Sequence, residues 1–222
     1  MLLALDTATS YASIALYDGN QLLAEINWRS QRRHTVELAP QVDNLFRLSG
    51  FTPDAITALA VSIGPGSFTG TRIALSYAKG VVAARDLPLI GVPTLDILVY
   101  PHLPARAPIC AMVAAGRGRF AWAVYESERS SEGVHFPRQS APFQLGDIQA
   151  IMRALEPPIL FVGELDDRAK EAILSQWKEK GIEIITPALG VRRGGALAEL
   201  AWLRWQRGQT DDPATLSPIY LA

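Results

Sequence analysis

GPGSFTGTR, residues 64–72, is the stretch of this sequence that decides the fold. It separates an apolar run at residues 58–63 from a longer apolar run at residues 73–84. Gly64 and Gly66 can adopt backbone angles that are closed to other residues, so the chain can turn sharply here. A buried strand, a tight glycine-rich turn and a helix, in this order, predict an α/β protein.

The same turn has the features of an anion site, because free amide groups at a helix start attract negative charge. Ser67 or Thr69 is the expected N-cap, and Arg72, one turn into the helix, favours an anion or an acidic partner. The strict phosphate-loop patterns fail, because no Gly-Lys-Ser/Thr sequence follows and Gly70 stands one residue too late for the dinucleotide fingerprint. A phosphate-binding turn and a purely structural connection both stay open.

A second turn with polar side chains follows the first strand-like run. Its sequence, DTATS at residues 6–10, brings Asp6, Thr7 and Ser10 together in a hairpin turn. Such a turn can hold a hydrated metal ion or a phosphate. The same residue types are also ordinary turn formers that bond their own backbone, so both interpretations stay open.

Further outward, hydrophobic periodicity predicts two halves. The first half has predicted strands at residues 2–6, 13–17, 21–26, 58–63 and 89–92 and helices at 35–48, 69–85 and 94–100, in the order βββαβαβα. The second half has predicted strands at 109–113, 120–125, 159–162 and 182–185, helices at 167–180 and 196–207, and a loop insertion at 127–144. Prolines at 101, 104 and 108 mark a hinge. They predict domains at residues 1–103 and 104–222; whether the last helix packs back on the first domain stays open.

Composition excludes several classes of function. Hydrophobic residues make up 49% of the 222 residues and charged residues 19%, which is enough for a packed core. The formal net charge of −1 gives no electrostatic footprint of an autonomous nucleic-acid-binding protein. No apolar run approaches the roughly 20 residues of a membrane span, so we expect a cytoplasmic protein without a membrane partner. The three histidines lack the short spacings of zinc ligands, which predicts no metal site.

Several motifs together resemble one known family. They are the DTATS turn, the βββαβαβα order, GPGSFTGTRI at residues 64–73, AKG at 78–80, LIGV at 89–92 and PIYL at 218–221. This combination resembles the TsaB (YeaZ) family of the actin-like ATPase superfamily. The resemblance implies two actin-like (ASKHA, RNase H-like) α/β domains, each a mixed sheet with flanking helices.

The resemblance also implies a role in making threonylcarbamoyladenosine in tRNA. The chain would be an obligate, non-catalytic partner of the paralogous catalytic subunit TsaD, with the ATPase TsaE as a third component. It would meet tRNA only through the complex and form a homodimer when alone. No cofactor is implied in this chain alone, with ATP or ADP expected at the interface of the complex.

The chain departs from its catalytic relatives at the positions of their metal ligands. The resemblance places Thr94 and Leu98 where the catalytic paralogue carries two histidines, and neither side chain can replace an imidazole. We therefore predict no catalytic residue and no metal ligand. In the turn at residues 113–118, relatives often carry an acidic residue and two arginines, whereas this chain has Ala114 and a single matching arginine, Arg117. If the turn contacts a nucleotide in relatives, the same contact is in question here. His34 resembles a common family histidine and is expected to be a cap or a surface contact.

The helix at residues 69–85 is apolar on nearly all sides, so its outer face needs a cover. We predict that it and the preceding helix present an apolar patch to the catalytic paralogue or to a second copy of the chain. The predicted patch consists of Val42, Leu45, Phe46, Ala74, Tyr77, Ala78 and Val81. The alternative is that both helices are covered within the monomer.

Two other functions compete with the partner role. A self-sufficient actin-fold ATPase or phosphotransferase would use the two polar turns as phosphate loops. It would also need a catalytic carboxylate and an adenosine pocket, for which the second half has no motif. A metallopeptidase is disfavoured by the missing histidine pair.

Overall fold

A computed structural model describes residues 1–177 and 180–221. In chain order the elements are β1 (Leu2–Asp6), β2 (Tyr11–Tyr17), β3 (Leu22–Arg29), α1 (His34–Ser49), β4 (Ala58–Ser62), α2 (Phe68–Arg85), β5 (Leu89–Val92), α3 (Thr94–Val99), β6 (Ile109–Gly116), β7 (Arg119–Arg129), β8 (His135–Gln139), β9 (Gln144–Asp147), α4 (Ile148–Ala154), β10 (Ile159–Gly163), α5 (Asp167–Trp177), β11 (Ile182–Ile184) and α6 (Gly194–Gln206). Within these ranges no helix combines the length and the apolar character needed to cross a membrane.

The first compact unit consists of Met1–Ile97 together with Arg192–Tyr220. Its sheet has the strand order β3-β2-β1-β4-β5, in which β1, β2 and β3 are antiparallel and β1, β4 and β5 are parallel. All residues of the central strands β1 and β4 are buried, as expected for strands that are covered on both faces. The predicted order βββαβαβα is confirmed.

Helices cover both faces of this sheet. Ile14 and Leu16 of β2 belong to a core cluster with residues of α1 and α2. On the opposite face, a Cβ atom added to Gly194 would lie 2.8 Å from the Ser13 hydroxyl oxygen and 3.0 Å from Cβ of Ala15. Successive side chains of a strand alternate between faces, so α6 packs on the face opposite to α1 and α2.

The compact units do not follow the domain division at residue 103 that the sequence predicts. The first unit ends at Ile97, inside α3, and it also includes Arg192–Tyr220, which the division assigns to the second domain. Close packing explains this: Gly194 has no side chain, so the start of α6 can approach β2 directly. The last helix thus belongs to the first unit, the arrangement that the sequence left open.

The second unit, mainly Leu98–Val191, is a sheet of strand order β11-β10-β6-β7-β8 in the described ranges, with β9 also paired to β7. Cys110 and Met112 of β6 pack with side chains of α4 and α5 in a second core cluster. The predicted loop insertion at residues 127–144 is wrong, because it contains the end of β7, all of β8 and the start of β9. The predicted helix at 167–180 is α5; residues 178 and 179 lie outside the described residues.

Candidate functional site

The turn that follows β1 is closed by a buried ion pair. Nε of Arg192 donates to Oδ2 of Asp6 over 2.7 Å, and both side chains are 1% exposed. Nη2 of the arginine donates to Oγ1 of Thr9 over 2.8 Å and to the carbonyl oxygen of Tyr11 over 2.7 Å. The backbone N–H of Ala8 donates to Oδ1 of Asp6 over 2.8 Å. Both carboxylate oxygens therefore accept hydrogen bonds from the chain itself.

The glycine-rich turn packs directly against this first turn. The backbone N–H of Ser67 donates to the carbonyl oxygen of Ala8 over 2.6 Å, and the hydroxyl of Thr7 donates to the carbonyl oxygen of Gly70 over 2.6 Å. A Cβ atom at Gly66 would overlap the carbonyl oxygen of Ala8, and one at Gly70 would overlap that of Thr7. The missing side chains of these two glycines thus allow backbone to meet backbone.

The start of α2 resolves the choice of N-cap. The side chain of Ser67 accepts a hydrogen bond from the backbone N–H of Gly70 over 3.1 Å, so Ser67 is the cap and Thr69 is the second residue of the helix. Gly64 has φ +95°, in the region that favours glycine. Among the residues predicted for phosphate loops, Ser10, Ser67, Thr69 and Arg72 are exposed, whereas Asp6, Thr7 and Gly64 are buried and Gly66 is half-buried.

The Asp6 carboxylate, which a phosphate-bound cation would need, is already paired in this arrangement. A hydrated cation at Asp6 would have to displace the Arg192 guanidinium, and a buried charge left without its partner is strongly destabilising. The space at Gly66 and Gly70 is filled by the backbone of the neighbouring turn. Among the described residues, no three His, Cys, Asp or Glu side chains are grouped so that they could hold a metal ion.

His34 lies next to the ion pair, and its surroundings differ from the expectation. It is the first residue of α1, is only 6% exposed and does not act as the N-cap, which is Arg33. Its Nδ1 atom is buried without a hydrogen-bond partner among the described residues. Burial lowers the pKa of His34, against the opposing influence of a hydrogen bond with the Thr9 backbone. The expected cap or surface contact is wrong, because the side chain is enclosed by its own unit.

The predicted interface residues separate into two groups. Leu45, Ala74 and Ala78 have no exposed surface and belong to the core of the first unit. This part of the predicted patch is corrected: α1 and α2 turn these side chains to each other and to the sheet, where no partner can contact them. Tyr77 and Val81 are half-buried and remain accessible at the surface.

Two neighbouring grooves run between α1 and α2 at this surface. One groove, of about 450 Å³, is lined by Val42, Phe46, Tyr77 and Val81, among others. The other, of about 530 Å³, includes Tyr77 and the first turn of α2. Val42 and Phe46 are largely buried but reach the floor of the first groove. The accessible part of the predicted patch is therefore a pair of grooves rather than a flat apolar face.

Comparison with known proteins decides the family. The family model of TsaD, tRNA N6-adenosine threonylcarbamoyltransferase, matches residues 22–134. The tRNA threonylcarbamoyladenosine biosynthesis protein TsaB of Haemophilus influenzae is 31% identical over 230 residues, which cover 99% of this chain and 92% of the relative. The chain belongs to the TsaB family.

Further similarities agree with this family. The TsaB protein of Escherichia coli is 34% identical over 131 residues, which cover 58% of this chain and 56% of that relative. The solved structure of YeaZ from Pseudomonas aeruginosa covers 99% of both chains at a TM-score of 0.78 and 24% identity. The TsaB-family chain therefore has the actin-like ATPase fold, with two mixed sheets and flanking helices, as the sequence predicts.

The structure places the three residues that the resemblance compares with catalytic relatives in different surroundings. The hydroxyl of Thr94 pairs with that of Ser62 at 2.9 Å, and Thr94 is fully buried. Leu98 is buried as well. Ala114 is exposed and its backbone N–H donates to Oε2 of Glu164 over 3.3 Å.

Sequence reasoning missed Arg192, the cation of the buried pair. Its neighbour Arg193 pairs with the Glu25 carboxylate, which also accepts a hydrogen bond from the backbone N–H of Gly195 over 2.9 Å. Two adjacent arginines before a pair of glycines are the signal that could have pointed to this segment. Nothing in the sequence indicates which acidic residue each arginine meets.

Proposed function

We propose that this chain is a non-catalytic subunit in the biosynthesis of threonylcarbamoyladenosine in tRNA. The observation that carries the proposal is the family: the TsaB relative from Haemophilus influenzae, which aligns with 99% of the chain, is named for that biosynthesis. The chain would act with a TsaD-family catalytic subunit and a TsaE-family ATPase. Contact with tRNA through the complex, and ATP or ADP at its interface, stay predictions.

The buried ion pair at the Asp6 turn supports a non-catalytic role. A self-sufficient ATPase or phosphotransferase would need this carboxylate for a cation that bridges phosphates. Here Arg192 occupies the carboxylate, and its displacement would leave a buried charge without a partner. The rival function therefore requires a rearranged turn, whereas the partner-subunit function uses the chain as it is folded.

The grooves between α1 and α2 support the partner role. Apolar side chains that stay exposed next to a groove are typical of interaction sites. Phe68, which is exposed, lines one groove, and Tyr77 and Val81 of α2 line the other. We propose that helices of a TsaD-family subunit cover this surface, and that a second copy of the chain covers it when that subunit is absent.

Reconstitution of the modification tests the proposal. Modified adenosine in tRNA is measured with the TsaD-family and TsaE-family subunits of the same organism, with and without this chain. We expect modification to depend on the chain, and undiminished modification in its absence would reject the proposal. Purified chain that hydrolyses ATP alone at ordinary enzymatic rates would instead favour the self-sufficient ATPase.

A further inference from the structure

An arginine one turn into α2 is held in position by two aromatic side chains. Cζ of Arg72 lies 3.7 Å from the ring centroid of Phe68 and 5.4 Å from that of Tyr220. Nε of Arg72 donates to the Tyr220 hydroxyl over 2.6 Å, and the two ring centroids are 5.1 Å apart. Phe68 and Tyr220 are 56% and 47% exposed, so this arrangement, the Arg72 clamp, stands on the surface.

The clamp is anchored by the end of the chain. The backbone N–H of Ile219 donates to the carbonyl oxygen of Ile63 over 2.7 Å, directly before the glycine-rich turn. The same residue packs against Gly64, where an added Cβ atom would lie 3.0 Å from the Ile219 carbonyl oxygen. Tyr220 is therefore positioned by backbone contacts on one side and by Arg72 on the other.

The donors at the tip of Arg72 are not used by the described residues of the chain. Its Nη1 and Nη2 atoms have no acceptor in the part of the chain that the structure describes. Arg85, at the other end of α2, differs, because its Nη1 and Nη2 donate to the carbonyl oxygens of Pro53 and Asp54. A guanidinium stacked on an aromatic ring keeps the donors at its edge free for a planar acceptor.

The groove beside the clamp has one charged residue. Arg72 lies in the lining of the groove of about 530 Å³, whose apolar walls include Leu38 and Ile73. Thr35 and Ser76 add hydroxyl groups, and no carboxylate lines the groove among the described residues. An anionic side chain entering it would leave water and find Arg72 as its countercharge.

We propose that Arg72 binds a carboxylate, from an aspartate or glutamate on the surface of the TsaD-family subunit, through Nη1 and Nη2. The inference rests on the proposed function and names the chemistry by which the α1–α2 surface recognises its partner. A planar carboxylate can accept two parallel hydrogen bonds from the guanidinium group. Because the clamp already orders the Arg72 side chain, less conformational entropy is lost on binding. Tyr220 is a positioning residue, because it acts through Arg72.

A carboxylate of a protein fits the groove better than an RNA phosphate does. RNA-binding surfaces carry several basic residues along the backbone path, whereas this groove has a single cation and apolar walls. The formal net charge of the chain, −1, also provides no general attraction for RNA. RNA binding is therefore an outcome of the test and not part of the inference.

The affinity of the full-length chain for the TsaD-family subunit tests the inference, measured by isothermal titration calorimetry at two salt concentrations. Arg72→Gln should weaken binding about 10- to 100-fold, because a charge-assisted hydrogen-bonded pair is lost, and should reduce the salt dependence. Arg72→Lys should fall between wild type and Arg72→Gln, because it keeps the charge and loses the fork. Tyr220→Phe should weaken binding about threefold, because the ring stays and one hydrogen bond is lost. Arg153→Gln, an equal change of charge at an exposed residue of α4, should bind like the wild type.

The outcomes separate the inference from the proposed function. If the wild type binds and Arg72→Gln binds equally well, the inference is overturned and the proposed function stands. If the wild type does not bind the subunit, both fail. Loss of tRNA binding by Arg72→Gln with unchanged affinity for the subunit would assign a phosphate to Arg72 and also overturn the inference. If circular dichroism shows that Arg72→Gln is unfolded, the affinities of Arg72→Lys and Tyr220→Phe test the inference instead. Affinities equal to that of the wild type in both variants would then overturn it.

Discussion

Arg192 and Asp6 are separated by 186 residues in the sequence, yet Nε of the arginine lies 2.7 Å from Oδ2 of the aspartate. The pair holds the segment before α6 to the turn after β1. It does so with both side chains 1% exposed, where water gives little screening. The contact thus keeps the Asp6 carboxylate from binding a cation. It also fixes the segment before α6 to the turn after β1.

Removing the arginine should destabilise the chain strongly. Arg192→Met leaves the buried Asp6 carboxylate without its cation, and the expected loss in the free energy of unfolding is about 3–5 kcal/mol. Urea denaturation followed by circular dichroism measures this loss.

The double variant Asp6→Asn with Arg192→Met provides the control. It removes both charges while an amide oxygen still accepts from Ala8, so it should be less destabilised than Arg192→Met alone. The single variant Asp6→Asn completes the cycle. If the double variant loses as much free energy of unfolding as Asp6→Asn and Arg192→Met lose together, the two charges are not coupled.

Two glycines of the same helix should respond to alanine in opposite directions. At Gly70 the new Cβ atom overlaps the Thr7 carbonyl oxygen, and overpacking of this kind costs about 1–3 kcal/mol. At Gly80 nothing lies within 4 Å of the new atom, so Gly80→Ala should stabilise α2 by about 0.5–1 kcal/mol. Midpoints of urea unfolding measure both changes. Equal effects at the two positions would contradict the close packing of the two turns.

Local patterns predicted most of the fold because each element has its own signal. Apolar residues at a spacing of three and four predicted α1, and Gly50 ends that helix at φ +73°, a backbone angle that suits glycine. Ser67 was one of two expected caps for α2, and it is the cap observed. Alternating and continuous apolar runs predicted the sheet of the first unit.

Features that depend on tertiary contacts could not be predicted from the sequence. Strand β8, with the sequence HFPRQ, has no clear alternation and is formed by pairing with β7. Apolar periodicity marked Leu45 and Val81 alike, although only one of them is fully buried, because packing against the sheet decides which face is covered. The partner of Asp6 could not be read, because no local signal connects it with Arg192.

The enclosed histidine should make stability depend on pH. Burial lowers the pKa of His34 from its ordinary value of 6.5, so the unfolded chain takes up the proton at higher pH than the folded chain. Asp6 and Glu37 raise this pKa and Arg192 lowers it, but burial has the largest influence. The contribution of neutral His34 to stability is therefore complete above pH 6.5 and is lost as the pH falls toward the folded-state pKa.

Replacement by a side chain that does not titrate isolates this contribution. His34→Gln should flatten the decline of the free energy of unfolding below pH 6.5, a slope of at most about 1.4 kcal/mol per pH unit for one proton. Burial also lowers the pKa of His102, in the second unit, so His102→Gln and the variant with both substitutions separate the contributions of the two histidines. A decline in His34→Gln as steep as that of the wild type would contradict the assignment to His34.

A charge placed in the groove between α1 and α2 should separate association from folding. Val81 is half-buried at the groove, so the carboxylate of Val81→Glu can reach water. The free energy of unfolding of the monomer should therefore stay within about 1 kcal/mol of the wild-type value. Association with the TsaD-family subunit, measured by calorimetry, and self-association, measured by sedimentation velocity, should both be lost, because a partner would bury that charge. Leu45→Glu places the same charge in the fully buried core and should instead unfold the first unit. Undiminished association of Val81→Glu would remove this surface from the interface, whereas a folded Leu45→Glu would show that the core is not packed as described.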